Sequence, residues 1–401
     1  MKLYFVNCRR YVNGRIELPA SFVFDIPDNG EDKYFTDKFI FPAFCDVHVH
    51  LREPGFSYKE TVASGTAAAA RGGFTDVCTM PNLSPVPDSA AHMKQQLDII
   101  KRDARVRVHP FAALTVGEKG QEPAALEELA PLCIGFSDDG KGVQSRSLML
   151  ELMQRVKKLG RIISAHCEDE ALVQGGYINK GAYALVHGHA GISAQSEWRP
   201  IARDLELAGC KYHVCHVSCR ESVELLRRAK AAGLDVTCET APHYLLLDEG
   251  SLMEDGRFKM NPPLRTGEDR TALIDGLLDG TVDMIATDHA PHAPQEKSRG
   301  LKDSLMGVTG LETAFAALYT GLVKPGILPL EKLVHLMTDA PRERFGIEKS
   351  GDICVFDTQT PFEVRPEEFL SMGKSTPFAG KTVQGKCLIT VCGGKTVWTE
   401  N

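Results

Sequence analysis

The stretch Asp46-Val47-His48-Val49-His50-Leu51-Arg52-Glu53-Pro54-Gly55 gathers side chains able to do chemistry. It follows the apolar run Phe39 to Phe44 and reads as the end of a buried strand, where residues two apart share a face. His48 and His50 therefore point the same way, and two neutral imidazoles on one face make half of a divalent-metal site. Arg52 keeps the same parity, so its guanidinium can hold a substrate carboxylate through two parallel hydrogen bonds. A His-x-His pair also suits a polar strand end, and a metal reading needs ligands from elsewhere in the chain.

Other strand-like runs supply them. Cys133-Ile134-Gly135-Phe136-Ser137 leads into Asp138-Asp139-Gly140, Ile163-Ser164-Ala165 into His166, and Ile285-Ala286-Thr287 into Asp288, while Tyr212 to Ser218 carries His216 near its end. Four His and two Asp can hold two metal ions with one carboxylate shared between them. Singly, each has a plainer reading: Asp138 or Asp139 can cap the turn at Gly140, and Asp288 can cap a helix. Jointly, ligand-type residues at so many separate strand ends favour the site. His213 has the opposite parity to His216 and is assigned to packing. His187 and His189 repeat the His-x-His spacing in Gly-rich surroundings and are assigned to a loop. Strand alternation turns Cys167 and Cys215 away from the site.

The elements that position these groups follow from the pattern. Candidate strands at 41–49, 74–80, 105–113, 133–137, 162–166, 211–217, 235–240 and 284–287 alternate with helical patterns such as 61–71, 90–102, 147–159, 221–232 and 269–279. Gly72, Gly160 and Gly233 are placed to end helices. Eight such units over about 250 residues match a (β/α)8 barrel, whose catalytic groups gather at the strand C-termini. A doubly wound open sheet would carry a Gly-rich loop after the first strand, and none is present. The ends break the rhythm: β-branched and aromatic runs with turn residues, as in Gly351 to Asp357 and Cys387 to Val391, predict a small β domain built from both termini. The expected division is 1–40 and 351–401 for that domain and 41–350 for the barrel.

Composition limits the partners. The 401 residues are 43% hydrophobic and 25% charged, an ordinary globular balance. A net charge of −7 and the lack of a basic stripe argue against nucleic acid. No apolar run approaches the length of a membrane helix, and the start MKLYFVNCRRYVNG does not read as a signal peptide, so the expected address is cytoplasmic. The 12 cysteines show no paired Cys-x-x-Cys motifs and are expected to be reduced core residues.

The segments DVHVHLREPG at 46–55, GGFTDVCTMPN at 72–82, FSDDG at 136–140, AHCED at 165–169, HVCHVS at 213–218, KMNPPLR at 259–265 and ATDHAPH at 286–292 resemble the amidohydrolase superfamily, and within it the class I dihydroorotases. The resemblance runs from about residue 41 to TPFAG at 376–380. It implies a (β/α)8 barrel with a small β-sandwich formed by both termini. It also implies reversible hydrolysis of (S)-dihydroorotate to N-carbamoyl-L-aspartate, a step of de novo pyrimidine (UMP) biosynthesis, by a metal-bridging hydroxide. Carried over by position, it implies Zn2+, two ions per chain: one on His48, His50 and Asp288, a second on His166 and His216, and Asp139 bridging them as the second aspartate of the DDG motif. Related cyclic amidases bridge with a carboxylated lysine, and here no lysine precedes that motif on its strand. Asp288 is implied as the general base and then acid. His50, Arg52, Asn82, Asn261, His292, Met306 and Gly307 are implied as substrate contacts, with Met306 standing where a Phe is common. A homodimer and association with aspartate transcarbamoylase are further expectations of the resemblance.

Two other readings compete. A hydantoinase or allantoinase would share the barrel and most ligands, but a bare hydantoin has no carboxylate for Arg52. A catalytically silent partner of aspartate transcarbamoylase would have lost ligands, whereas all six are present.

Overall fold

Parallel pairing carries the strands of the central region round into a closed ring. In the computed structural model, which describes residues 1–400 apart from residue 208, Phe44–Val49 pairs with Phe74–Thr79 and that strand with Arg107–Pro110. The third strand resumes after Phe111 as Ala112–Ala113 beside Phe136–Ser137. Ile162–Ala165, Lys211–Val214, Val236–Thr240 and Met284–Ile285 follow in order, all parallel. A parallel bridge between Val49 and His289, and a 2.8 Å bond from the His50 N–H to the His289 carbonyl, close the (β/α)8 barrel.

The helices lie where the periodicity predicts them, and their ends show why. Thr61 with Ser64 and Thr266 with Asp269 form capping boxes for Val62–Arg71 and Gly267–Asp279. Ser89 and Ser145 accept from the third helical N–H of Ala90–Asp103 and Arg146–Lys158. Arg220–Ala231 starts instead at Cys219, and Glu197 accepts from the Ser218 and Cys219 N–H groups there. Gly160 and Gly233 take the expected left-handed turn, at φ +65° and +79°. Gly72 does not: its φ is −78°, and Gly73 makes the turn at +87°. Gly72 is needed for space, because a Cβ there would sit 2.2 Å from the Leu311 carbonyl oxygen.

The expected strand 41–49 is two elements parted at Ala43. Phe39–Pro42 leaves the barrel and pairs antiparallel with Ile353–Asp357, which pairs in turn with Lys386–Cys392 and so with Lys395–Thr399. On its other side Phe39–Pro42 runs parallel to Lys2–Val12, which also carries Arg15–Ile16, Ala20–Asp25 and Lys33–Thr36. Both ends of the chain thus build one sheet around Leu3, Phe5, Ile40, Val355 and Ile389. Asn401 lies outside the described residues. Aromatic rings weld this sheet to the barrel: Phe315 lies 5.5 Å from Phe41, 5.4 Å from Phe44 and 4.3 Å from Phe356, between ring centroids. Among the described residues, no helix is long and apolar enough to cross a membrane.

The N-terminal end of the barrel is tied by charge. Asp76 is fully buried and accepts from Arg107 and Arg342, each at 2.8 Å, and Arg107 also pairs with Asp352 beside the terminal sheet. Burial opposes ionisation of Asp76, but His109, Arg107 and Arg342 outweigh it and hold the carboxyl well below the usual range. A carboxylate depressed in the folded state adds stability above its unfolded pKa, about 4, and that stability is lost as the pH falls through the folded value. Arg342→Met should therefore cost about 3 kcal/mol in urea unfolding near neutrality, the lower end for breaking a buried pair because Arg107 remains. The gap to the parent should narrow from about pH 4 to about pH 2. A gap that stays constant over that range removes Asp76 from the account.

Candidate metal centre

The strand C-termini bring the expected ligand residues into one buried cluster. His48 Nε2 lies 3.4 Å from Asp139 Oδ1 and 3.5 Å from Asp288 Oδ1. His50 Nε2 lies 3.5 Å from Asp139 Oδ2 and 3.2 Å from Asp288 Oδ1. On the other side of the same carboxylate, His166 Nδ1 and His216 Nε2 stand 3.6 and 3.9 Å from Asp139 Oδ1 and 2.8 Å from each other. Asp139 thus faces His48, His166 and His216 with Oδ1 and His50 with Oδ2. Two groups of three share Asp139, His48 with His50 and Asp139, and Asp139 with His166 and His216, the ligand atoms of each within 4.8 Å of one another. Among the described residues, His48 Nε2 and Asp139 Oδ1 are buried without a hydrogen-bond partner, a costly state in a dry site and the one a cation between them would relieve. The donor set of imidazole and carboxylate suits a borderline divalent ion.

Electrostatics favour the ligating forms of the acids. Burial opposes charge on Asp288, but His48 and His50 outweigh it and bring the carboxyl down to about 2. Asp139 is likewise held well below the usual range by His48 and His166 against the cost of burial. Burial and the neighbouring His166 and His48 charges push His216 down to about 3, leaving a neutral imidazole with a lone pair to offer.

A second layer of groups orients these ligands. The Glu239 carboxylate accepts from His48 Nδ1 at 2.7 Å and, through its other oxygen, from His213 Nε2 at 2.7 Å. Fixing the proton on Nδ1 turns the free Nε2 of His48 toward the site. His213, assigned to packing from its parity, is therefore part of the site's support, and its Nδ1 meets Thr237 Oγ1 at 2.8 Å. Asp46 accepts from the His48 N–H at 3.0 Å and the Thr287 N–H at 3.1 Å, pinning the first strand to the last beside Asp288. Neither Glu239 nor Asp46 is singled out by spacing. Their signal is an acidic residue inside a buried strand run. Asn82 accepts from His50 Nδ1 at 2.9 Å and donates to Asp139 Oδ2 at 3.2 Å. Arg52, His216 and Asp288 adopt φ of +60°, +36° and +48°, left-handed values that L residues hold only where the surroundings enforce them.

His213 and Cys215 share a face beside Glu239, and the strained conformation of His216, just past the strand Lys211–Val214, ends that alternation. Cys215, expected to face away, has its sulfur grouped with His48 and Glu239 and lies 3.1 Å from Ser164 Oγ. Cys167 does face away, toward the Tyr212 hydroxyl. His187 and His189 lie apart from the centre: His189 meets Tyr177 and Glu254, and His187 stacks on Tyr183.

The remaining expected contacts surround the cluster. The buried Arg52 side chain donates Nε to the Pro291 carbonyl at 3.2 Å. Asn261 Oδ1 is buried without a partner among the described residues. Both His292 nitrogens are engaged, Nε2 donating to the Met306 carbonyl at 2.7 Å and Nδ1 accepting from Lys59 Nζ at 3.3 Å. Burial, Arg52 and Lys59 lower His292 to about 3, so its ring is neutral. At Gly307, φ is +130° and a Cβ would fall 2.7 Å from the Ala290 carbonyl oxygen. Only glycine suits that close turn.

A closed α/β barrel with buried histidines and aspartates converging at its strand C-termini defines a metal-dependent hydrolase of the amidohydrolase type. Comparison with known proteins narrows this. Residues 37–222 match the family described as Dihydro-orotase-like. A dihydroorotase from Bacillus thuringiensis (strain Al Hakam) is 48% identical over 385 residues, 93% of this chain and 90% of that protein, and one from Bacillus anthracis (strain A0248) gives the same figures. The chain belongs to the dihydroorotase family. Among solved structures, L-hydantoinase (dihydropyrimidinase) from Arthrobacter aurescens superposes with a TM-score of 0.86 at 25% identity, covering 100% of this chain and 96% of that one. Dihydropyrimidinase from Brevibacillus agri NCHU1002 shares the fold, with a TM-score of 0.83 at 19% identity over 99% and 95% of the two chains.

Glu239→Gln tests the supporting layer. The amide offers one oxygen to two imidazole N–H groups and carries no charge, so His48 should lose its fixed tautomer and metal affinity should fall by about 10–100-fold. Chelator competition measures this, and an unchanged dissociation constant would detach Glu239 from the metal centre.

Proposed function

We propose that this protein catalyses the reversible hydrolysis of (S)-dihydroorotate to N-carbamoyl-L-aspartate, the ring-opening and ring-closing step of de novo pyrimidine (UMP) biosynthesis. The observation that carries the choice of substrate is Arg52. Its guanidinium is buried near Asp288 and Asp139, makes its one hydrogen bond among the described residues to a carbonyl, and has no ion-pair partner within 4.0 Å among them. A buried cation without a counter-ion is costly, and a substrate carboxylate relieves that cost. Dihydroorotate brings one; a bare hydantoin does not. The 48% identity to dihydroorotases supports the same reading.

His48, His50, Asp139 and Asp288 would hold one divalent ion and Asp139, His166 and His216 a second, with two zinc ions as the proposed content. When bound, the metals supply Lewis-acid polarisation of the amide carbonyl and acidify water. The chain's own residues do the rest. Arg52 holds the carboxylate, assisted by the second Asn82 N–H, and sets the ring's orientation. Asn261, His292 and the Met306–Gly307 backbone close over the ring and exclude water. Asp288, ionised at neutral pH, takes the proton of the attacking water and returns it to the ring nitrogen as the C–N bond breaks. The proposal extends to a cytoplasmic enzyme, with a homodimer or a transcarbamoylase complex as assemblies that sizing of the purified protein would detect.

The test is turnover of dihydroorotate and hydantoin by one metal-loaded preparation, and turnover of hydantoin alone would overturn the proposal. Arg52→Met should lower kcat/KM for dihydroorotate by about 2–5 kcal/mol, the range for removing one partner of a desolvated charge pair. Arg52→Lys should not restore it, since a point charge cannot reproduce a planar two-bond contact. Parent-like kinetics in Arg52→Met would leave the carboxylate without its anchor. Asp288→Asn keeps a carbonyl oxygen for weak ligation but cannot accept a proton. Both directions should slow by about 10²–10⁴-fold while much of the metal stays bound. Fast turnover by metal-loaded Asp288→Asn protein would take Asp288 out of the proton path.

A further inference from the structure

Lys297 is 7% exposed, and no carboxylate lies within 4.0 Å of its ammonium among the described residues. Lysines are rarely buried without a counter-ion, because desolvating the charge is costly. Here main-chain carbonyls replace the water: Lys297 Nζ donates to the Lys259 oxygen at 2.9 Å and to the Leu305 oxygen at 2.7 Å. The two carbonyls belong to different segments. Lys259 stands two residues before Asn261, and Leu305 directly precedes Met306 and Gly307. The Gly307 N–H donates to the same Lys259 oxygen at 3.1 Å, and His292 Nε2 donates to the Met306 oxygen at 2.7 Å.

A second lysine crosses the first. Lys259 sends its own Nζ to the Lys302 oxygen at 2.6 Å, on the far side of the Lys297–Leu305 loop, and lies over the Tyr177 ring at 4.9 Å. Each amine therefore holds a carbonyl on or beside the other's segment. Burial and the neighbouring Lys259 charge bring Lys297 down to about 7, yet its neutral amine still carries two N–H groups, one for each carbonyl. Loss of the proton leaves the clamp in place.

We infer that Lys297 is a positioning residue for the reaction: its buried amine fixes the gap between the segment carrying Asn261 and the turn of Met306 and Gly307, and so sets the substrate contacts of both. This rests on the substrate assignment above. The ring is held between these two segments, so widening the gap weakens binding more than it alters proton transfer at Asp288.

The experiment compares Lys297→Met, Lys297→Arg and Ser304→Ala with the parent, measuring KM and kcat for dihydroorotate, bound metal and thermal midpoint. Lys297→Met should raise KM by about tenfold, the effect of 1.4 kcal/mol, with kcat within about threefold and metal content unchanged. Lys297→Arg keeps two donors and should recover most of the loss. Ser304→Ala removes a 3.0 Å bond to the Lys297 carbonyl while sparing the amine, and should leave KM at the parent value. Should Lys297→Met not fold, Lys297→Gln, with an amide able to serve one carbonyl, should show the same split at about threefold. Unchanged KM in the folded variants, or an equal rise in Ser304→Ala, would overturn the inference. A parent unable to turn over dihydroorotate would instead overturn the substrate assignment.

Discussion

The Asp139 carboxylate, set among four imidazoles with its oxygens 3.4 to 3.9 Å from their nitrogens, is the constraint on which the rest of the molecule depends. The imidazoles come from the first, fifth and sixth barrel strands and the carboxylate from the end of the fourth. In an open sheet, with strands about 4.8 Å apart, the first and sixth would lie roughly 24 Å from each other. Instead the His48 and His216 rings stand 5.1 Å apart. Only closure into a ring brings sequence-distant strand ends to one point, and the Val49–His289 bridge that completes the ring lies beside the residues it serves. Chemistry and closure are one requirement at this end of the barrel.

The opposite end solves a different problem. Asp76, Arg107, Arg342 and Asp352 join two strands, the last barrel helix and the terminal sheet through fully matched charges, so nothing is left to bind. At the strand C-termini the matching is incomplete. Among the described residues, His48 Nε2, Asp139 Oδ1 and Asn261 Oδ1 lack partners, and Arg52 lacks a counter-ion. Unmatched charge converging at one rim, against the matched Asp76–Arg107–Arg342–Asp352 cluster at the other, separates the working face from the structural one.

Much of this was legible in the sequence because it depends on local pattern. Apolar runs of strand length marked the barrel strands, and Gly160 and Gly233 marked two helix ends. Parity placed His48 and His50 together, and ligand types at strand ends marked His166, His216, Asp288 and the pair Asp138-Asp139, of which the family resemblance chose Asp139. What was not legible depends on pairing across the chain or on local departures from regular geometry. Phe39 to Cys45 is apolar throughout, and only the partner Ile353–Asp357 shows that its first part belongs to another sheet. The +36° φ of His216 breaks the alternation that Cys215 shares with His213, and no residue type announces it. Glu239 reads as an anomaly in a buried run until His48 and His213 are seen on either side of it. Both His292 nitrogens are engaged within the protein, by Lys59 and the Met306 carbonyl, which spacing alone cannot reveal.

The pairing of Phe39–Pro42 with Ile353–Asp357 also sets an order of events during synthesis. The Cys354 thiol reaches back to the Phe41 carbonyl across 313 residues. At the usual pace of translation, roughly 15 to 60 s separate the emergence of the two segments from the ribosome. Over that interval Phe39, Ile40 and Phe41 present a sticky open edge next to the nascent His48–His50 segment. The barrel strands between them can associate as they appear, but the terminal sheet waits for the last fifty residues. A release factor arriving early, or a truncated message, would leave a chain holding every candidate metal-site side chain and an uncovered aromatic seam at Phe41, Phe44 and Phe315, a species destined for chaperones or aggregation.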